Sequence, residues 1–254
     1  MTTLGEAWAA LETKLRILQP LPLSREQWSV IHRLHSNFND REAQTRLPIP
    51  IARFGKAAVE AIGEEARRCD GVQTEYVDDG WFAGKFVDGP SDQMASYARL
   101  YNADVDRMIE VLFPAARYRK GHYAFGKFTV PQPHGLHTDH SAEDPSATGE
   151  PICIARIGTL GTHYVAGDIE AYDARTRSML NALRYWTSVP EGEPEAVFGE
   201  LLEKRVLATI PVDHVVLMVA GNGSPDAHVT QHIAARPPAG GVHSAFFQRQ
   251  YRFT

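Results

Sequence analysis

The chain has 254 residues, 43% of them hydrophobic, with a formal net charge of -5. That balance suits a globular chain with one large core and gives no general attraction for nucleic acid or an anionic membrane surface. No apolar run of about 18 residues is present, which excludes a membrane-spanning helix, and the N-terminus lacks the apolar stretch of a secretory signal, so a cytoplasmic protein is expected.

Leu4, Trp8, Leu11, Leu15 and Leu18 recur at helical spacing and predict an amphipathic helix over about 3–18, ended by Pro20 and Pro22. Ser24 with Gln27 three residues on is a capping-box signature for a second helix bearing Trp28, Ile31, His35 and Phe38 on one face. The stretch RLPIPIARFG reads as a proline-broken connector, and KAAVEAIGEEARRC as a helix. VQTEYVDDGWFAGKFV reads as a β-hairpin turning near Asp79 and Gly80. From Ser91, a stripe of Met94, Tyr97, Tyr101, Val105, Met108 and Leu112 predicts a long helix stopped at Phe113-Pro114.

The pattern then changes. YRKGHYAFGKFTV alternates like a strand, and ICIARIGTL and THYVAG are short β-type runs. DARTRSMLNALRYW predicts an inserted helix capped by Asp173, and SVPEGEPEA a surface loop. RVLATI, HVVLMVAG, HVTQHIAA and HSAFFQRQYRF are four further strand candidates. Helices first and strands after argue α+β, with one domain over 1–254: helical support over 1–114 and a strand-rich core over 115–254. Six to eight short strands suit a double-sheet jelly roll with N-terminal supporting helices. Cys69 and Cys153 make no disulfide framework, and the sequence does not fix an oligomeric state.

Chemistry concentrates in the strand-rich half. Of the 11 histidines only His32 and His35 precede His122. In HGLHTDH, His137 and Asp139 are two apart, so in extended backbone they share a face, and an imidazole beside a carboxylate grips one metal ion. With a third ligand from elsewhere this is the 2-His-1-carboxylate triad suited to non-haem Fe(II). Downstream, PVDHVVLMVAGNGSPDAHVTQHIAARPP reads as turn, strand, loop, and a strand carrying His228 and His232.

GLHTDH followed at a distance by HIAARPP resembles the two metal-binding motifs of the Fe(II)/2-oxoglutarate-dependent oxygenases, over roughly residues 117–254. The resemblance implies a double-stranded β-helix, Fe(II) held by His137, Asp139 and His232 (His228 being the alternative distal ligand), and 2-oxoglutarate and O2 as co-substrates. It implies hydroxylation of an unactivated C–H in a small molecule, such as a free amino acid or natural-product intermediate. Asp139 fills the position where related halogenases carry a small residue, which favours hydroxylation over halogenation. The family also pairs the far carboxylate of 2-oxoglutarate with a cation, usually arginine. In the window where many members carry it, this chain has Val242, His243 and Ser244. Arg249 is the candidate, by its spacing from His232 and by the parity of the last strand, with Arg156 as the other possibility. Trp81, Tyr118 and Tyr123 are candidate pocket aromatics.

Two other readings stay open. HTDH at His137–His140 resembles part of the metallo-β-lactamase motif H-x-H-x-D-H of zinc hydrolases, although Gly135 stands where that motif wants a histidine. A non-catalytic jelly-roll binding protein is the third reading, since fold does not dictate function.

Overall fold

The computed structural model describes residues 3–68, 73–77, 80–82, 92–128, 135–138, 152–158, 162–184, 193–211, 213–221, 230–234 and 244–253. The N-terminal part holds α1 (Leu4–Ala9), β1 (Leu18–Pro20), α2 (Arg25–Ser36), α3 (Arg41–Gln44), β2 (Ile49–Phe54), α4 (Lys56–Arg68), β3 (Gln73–Val77), β4 (Gly80–Phe82) and α5 (Asp92–Leu112). There follow β5 (Tyr118–Phe128), β6 (Ile152–Gly158), β7 (Thr162–Val165), α6 (Ala174–Arg184), α7 (Glu193–Glu203), β8 (Leu207–Ile210), β9 (His214–Gly221), β10 (His232–Ala234) and β11 (Ser244–Phe253).

The strands form two antiparallel sheets. The larger has eight, in the order β1-β2-β9-β6-β11-β5-β3-β4, and the smaller has three, β10-β7-β8. The sheets meet where Val216 and Met218 of β9 pack with Ile210 and Tyr164 of the smaller sheet. Because strand side chains alternate between faces, Val215, Leu217 and Val219 point the other way and pack with Ile31, Tyr101, Val105 and Met108 of α2 and α5. On the smaller sheet, Val165, Leu207 and Ile233 turn outward onto Leu180 and Leu183 of α6 and Leu201 of α7. Helices therefore cover the outer face of both sheets. The α+β expectation holds, with helices on the outer faces of both sheets.

Local chemistry explains most element starts. Ser24 accepts from Gln27 N while Gln27 accepts from Ser24 N, a reciprocal capping box. Asp173 accepts from Thr176 N at 2.7 Å and starts α6. Three expectations are corrected. The first predicted helix is short: α1 gives way to a 3-10 turn over Ala10–Thr13, and Leu18 and Pro20 belong to β1. Its end is set by Asp104 of α5, a fully buried carboxylate that accepts from the backbone N–H groups of Arg16, Ile17 and Leu18. RLPIPIARFG is not a connector but contains β2, whose Ile49, Ile51 and Phe54 are buried. Pro50, which has no N–H to give, sits where the ladder with β9 shifts register. SVPEGEPEA is not all loop, because α7 begins at Glu193.

The three central strands of the larger sheet decide which side chains reach the space between the sheets. Leu217, Ala155 and Arg249 lie on one rung, and Val216, Arg156 and Gln248 on the next. Residues on one rung share a face. Leu217 packs with the helices, and so the Arg249 rung faces them too. The guanidinium of Arg249, 3% exposed, pairs with Asp106 of α5 at 3.2 Å (Nε to Oδ1) and 3.3 Å (Nη2 to Oδ2). Tyr251, on the same face, donates to Asp106 at 2.6 Å, and burial followed by the nearby Asp106 carboxylate pushes its hydroxyl well above its ordinary pKa. Tyr118 is packed edge-on against Tyr251 with ring centroids 5.3 Å apart, in the helix-side core and not in a pocket.

This pairing makes Arg249 a stability residue. Removing one partner of a buried ion pair costs about 3–5 kcal/mol, because the other charge is left uncompensated. Arg249→Met is expected to lower unfolding stability by that order in urea titration. An unchanged midpoint would show that the pair contributes nothing.

Candidate metal centre

His137 and His232 are brought face to face. Each donates its backbone N–H to the other's carbonyl, at 3.0 Å from His137 and 2.9 Å from His232, in an antiparallel bridge. Their ring centroids are 4.4 Å apart. His232 is 1% exposed and opens β10, where it stands on one rung with Tyr164 of β7. Tyr164 packs toward Val216 and Met218, so this rung faces the space between the sheets. Both histidines thus line the interior of the sandwich, His232 on β10 and His137 on the segment bridged to it.

Neighbouring residues explain the precision. Leu136, one residue before His137, is buried with Leu180, Leu183 and Ile233 on the outer face, and strand alternation turns His137 inward. Leu136 N donates to the Leu183 carbonyl at 3.0 Å, docking the segment on the end of α6. At that contact Gly135 is required: a Cβ there would meet the Arg184 carbonyl oxygen at 2.3 Å and that of Leu183 at 2.7 Å. On the other side, Thr230 N donates to the Val219 carbonyl at 2.9 Å and Val165 N to the Gln231 carbonyl at 3.0 Å. The strand carrying His232 is therefore tied to both sheets.

Nδ1 of His137 lies 2.8 Å from the Gly135 carbonyl oxygen. A carbonyl only accepts, so Nδ1 carries the proton and Nε2 of the neutral ring carries the lone pair, which is how proteins fix the tautomer of a metal-binding histidine. Nδ1 of His232 makes a longer approach of 3.5 Å to the Thr230 carbonyl oxygen. Two imidazoles so oriented are chemically suited to a borderline divalent ion. Asp139 and His228 lie outside the described residues, as do His134, His140 and His243. Among the described residues no cluster of three metal-binding side chains is complete.

Other candidates fall elsewhere. Arg249 faces the helices and is engaged by Asp106, so the parity expected to carry it inward carries it outward. Arg156 pairs with Val216 of β9 and Gln248 of β11 in the larger sheet, and its side chain lies outside the described residues. His163, one residue before Tyr164, is on the outer face. It meets Thr209 at 2.9 Å and stacks edge-on against Phe198, and burial lowers its pKa. Gly135 also bears on the zinc-hydrolase reading, because the position where that motif wants a histidine has no room for any side chain. Tyr164 was missed in the sequence. Alternation separates it from His163, but nothing local tells which of the two faces inward.

No family model matches the chain, and no curated protein matches it. Solved structures similar to it include the Kdo hydroxylase KdoO, a non-heme Fe(II) alphaketoglutarate dependent dioxygenase, at 12% identity over 87% of this chain and 84% of that chain, with a TM-score of 0.46. HygX from Streptomyces hygroscopicus, with nickel and 2-oxoglutarate bound, is 16% identical over 91% and 87%, with a TM-score of 0.46. A Pseudomonas putida prolyl-4-hydroxylase is 10% identical over 89% and 91%, with a TM-score of 0.42. At these identities and TM-scores the likeness assigns no activity to this chain, and the chemistry has to come from the donor groups themselves.

The close contact at Gly135 yields a test. Gly135→Ala is expected to push the 135–138 segment off α6, cost about 1–3 kcal/mol of stability and weaken divalent-metal binding about 10–100-fold. Gly199→Ala in α7, where the added methyl meets nothing within 4 Å, is the matched control and is expected to raise stability by about 0.5–1 kcal/mol. Calorimetric titration with Co(II) and urea unfolding read both effects.

Proposed function

We propose that the protein is a non-haem Fe(II)/2-oxoglutarate-dependent dioxygenase that hydroxylates a small molecule, built on a double-stranded β-helix. One observation carries the reading: His137 and His232, far apart in sequence, meet across an antiparallel bridge on the inward face with the His137 tautomer set by Gly135. The two facing antiparallel sheets with outer helices support the jelly-roll architecture. The resemblance of GLHTDH and HIAARPP to the family's metal motifs supplies the third ligand, Asp139, and with it an Fe(II)-type triad.

In this reading His137, Asp139 and His232 hold the metal. Bound Fe(II), with 2-oxoglutarate and O2, supplies oxidation of an unactivated C–H bond to an alcohol, while 2-oxoglutarate leaves as succinate and CO2. The chain's own tasks are to orient and to exclude water. Gly135 holds the proton on Nδ1 of His137. Val216, Met218 and Ile210 form a dry apolar floor. The far carboxylate of 2-oxoglutarate needs a cation, since an unpaired buried charge costs several kcal/mol. In this reading Arg156, the other candidate, takes this role, because Arg249 is engaged by Asp106.

Alanine at His137, Asp139 or His232 is expected to abolish stoichiometric Fe(II) binding in anaerobic titration, and full retention in any of the three removes that residue from the ligand set. Adding 2-oxoglutarate to the anaerobic Fe(II) protein is expected to give the weak visible charge-transfer band of bidentate chelation. Arg156→Ala is expected to lose that band at matched 2-oxoglutarate while keeping the iron. Arg249→Ala is expected to keep the band in whatever fraction remains folded. The opposite pattern would return the role to Arg249.

A further inference from the structure

A cavity of about 410 Å³ lies between the α2–α3 region and the end of β7. That is within the usual size range for small-molecule sites. Tyr164 lines it and also stands on the rung of His232, so the cavity begins one strand away from the candidate metal ligand. Neighbouring strands are about 4.8 Å apart. Leu47 and Ile49, at the start of β2, and Val30 of α2 give the cavity an apolar wall. Its rim is charged with both signs. Glu26 and Arg46 face each other loosely at 3.6 Å, with side chains 76% and 59% exposed. Glu42 is held by Arg33 at 2.8 Å, and this contact lowers its pKa and keeps it ionised.

We infer that this cavity is the substrate mouth of the histidine site and that it takes a zwitterionic amino acid, with its ammonium on the Glu26 and Glu42 side and its carboxylate on Arg46. The assignment of the mouth to a reacting centre rests on the oxygenase reading above. Three features carry it. A rim with carboxylates and a guanidinium matches a ligand bearing both charges better than a simple anion or cation. The exposed Glu26–Arg46 pair has little intrinsic strength, so a ligand that supplies both charges can replace it at small cost. The apolar wall accepts an aliphatic side chain. Among the described lining residues, Tyr164 is the one that shares a rung with a candidate metal ligand, so it sets the inner end toward which the reacting carbon points.

The test uses the full chain, first stripped of metal by chelation. The twenty free amino acids are screened by saturation-transfer NMR, and the best binder is titrated by calorimetry. At least one is expected to bind. Its N-acetyl and methyl ester forms, each lacking one charge, are expected to bind at least ten-fold more weakly, as is the free amino acid to Arg46→Gln. Glu26→Gln, at a side chain 76% exposed and so without a packing role, is expected to weaken it in the same sense. No binder, or a binder indifferent to both substitutions and both blocking groups, overturns the assignment. The protein is then loaded with Co(II) or Zn(II). Selective broadening of the bound amino acid's signals by paramagnetic Co(II), absent with Zn(II), is expected if the cavity opens on the metal. Binding without broadening overturns the mouth. Failure of either metal to bind defeats the oxygenase reading instead, and the metal-free titrations still decide whether the cavity is an amino-acid site.

Discussion

The site depends on two backbone hydrogen bonds, the reciprocal pair between His137 and His232. They join segments that are remote in sequence, and they fix more than a distance. Partners in an antiparallel bridge stand on the same side of the sheet, so one pairing commits both imidazoles to one face. A slip of one residue would put Leu136 or Ile233 inside and the histidines against α6. That slip is opposed on the other face, where Leu136 and Ile233 are 3% and 0% exposed among the leucines of α6 and α7. Burial of each such side chain is worth about 1.5–3 kcal/mol. The apolar outer face thus sets the polar inner one.

The larger sheet works by the same rule with a different result. Its helix-facing rungs carry Leu217, Tyr251 and Phe253, and among them a charge, Arg249. An arginine buried to 3% exposure is tolerated there because Asp106 offers two oxygens to its fork and Tyr251 donates to the same carboxylate. A side chain so committed is occupied structurally. The next rung includes Val216, whose side chain packs toward the smaller sheet.

The N-terminal part does more than support. β1 and β2 extend the larger sheet beyond β9. Asp104 anchors the chain entering β1 through three successive backbone N–H groups, and Trp8 donates from its indole to the Leu21 carbonyl at 2.8 Å. These contacts fix the chain entering β1 and leading to α2, and α2, α3, the start of β2 and the end of β7 line the charged cavity. The wall of the candidate substrate mouth is therefore supplied by segments with no metal-binding pattern of their own.

The sequence by itself determined the α+β class, the capped starts of α2 and α6, the long helix through Tyr101 and Met108, and the strand-rich second half. Each of these rests on local periodicity or on a side chain bonding a backbone group three residues away. It also singled out His137, through its strand-face spacing from Asp139, while His232 came from the resemblance of HIAARPP to a family motif, with His228 as the alternative. Tertiary structure decided the rest. Alternation separates Arg249 from Gln248 and Tyr164 from His163, but both members of each pair are at least half-buried, so the pattern carries no mark of which face is interior. Only the partners across space, Asp106 for Arg249 and Val216 for Tyr164, settle that. Gly135 is likewise an ordinary loop glycine in the sequence, and becomes obligatory only when α6, folded some fifty residues later, brings its last carbonyls to within 2.3 Å of the missing Cβ.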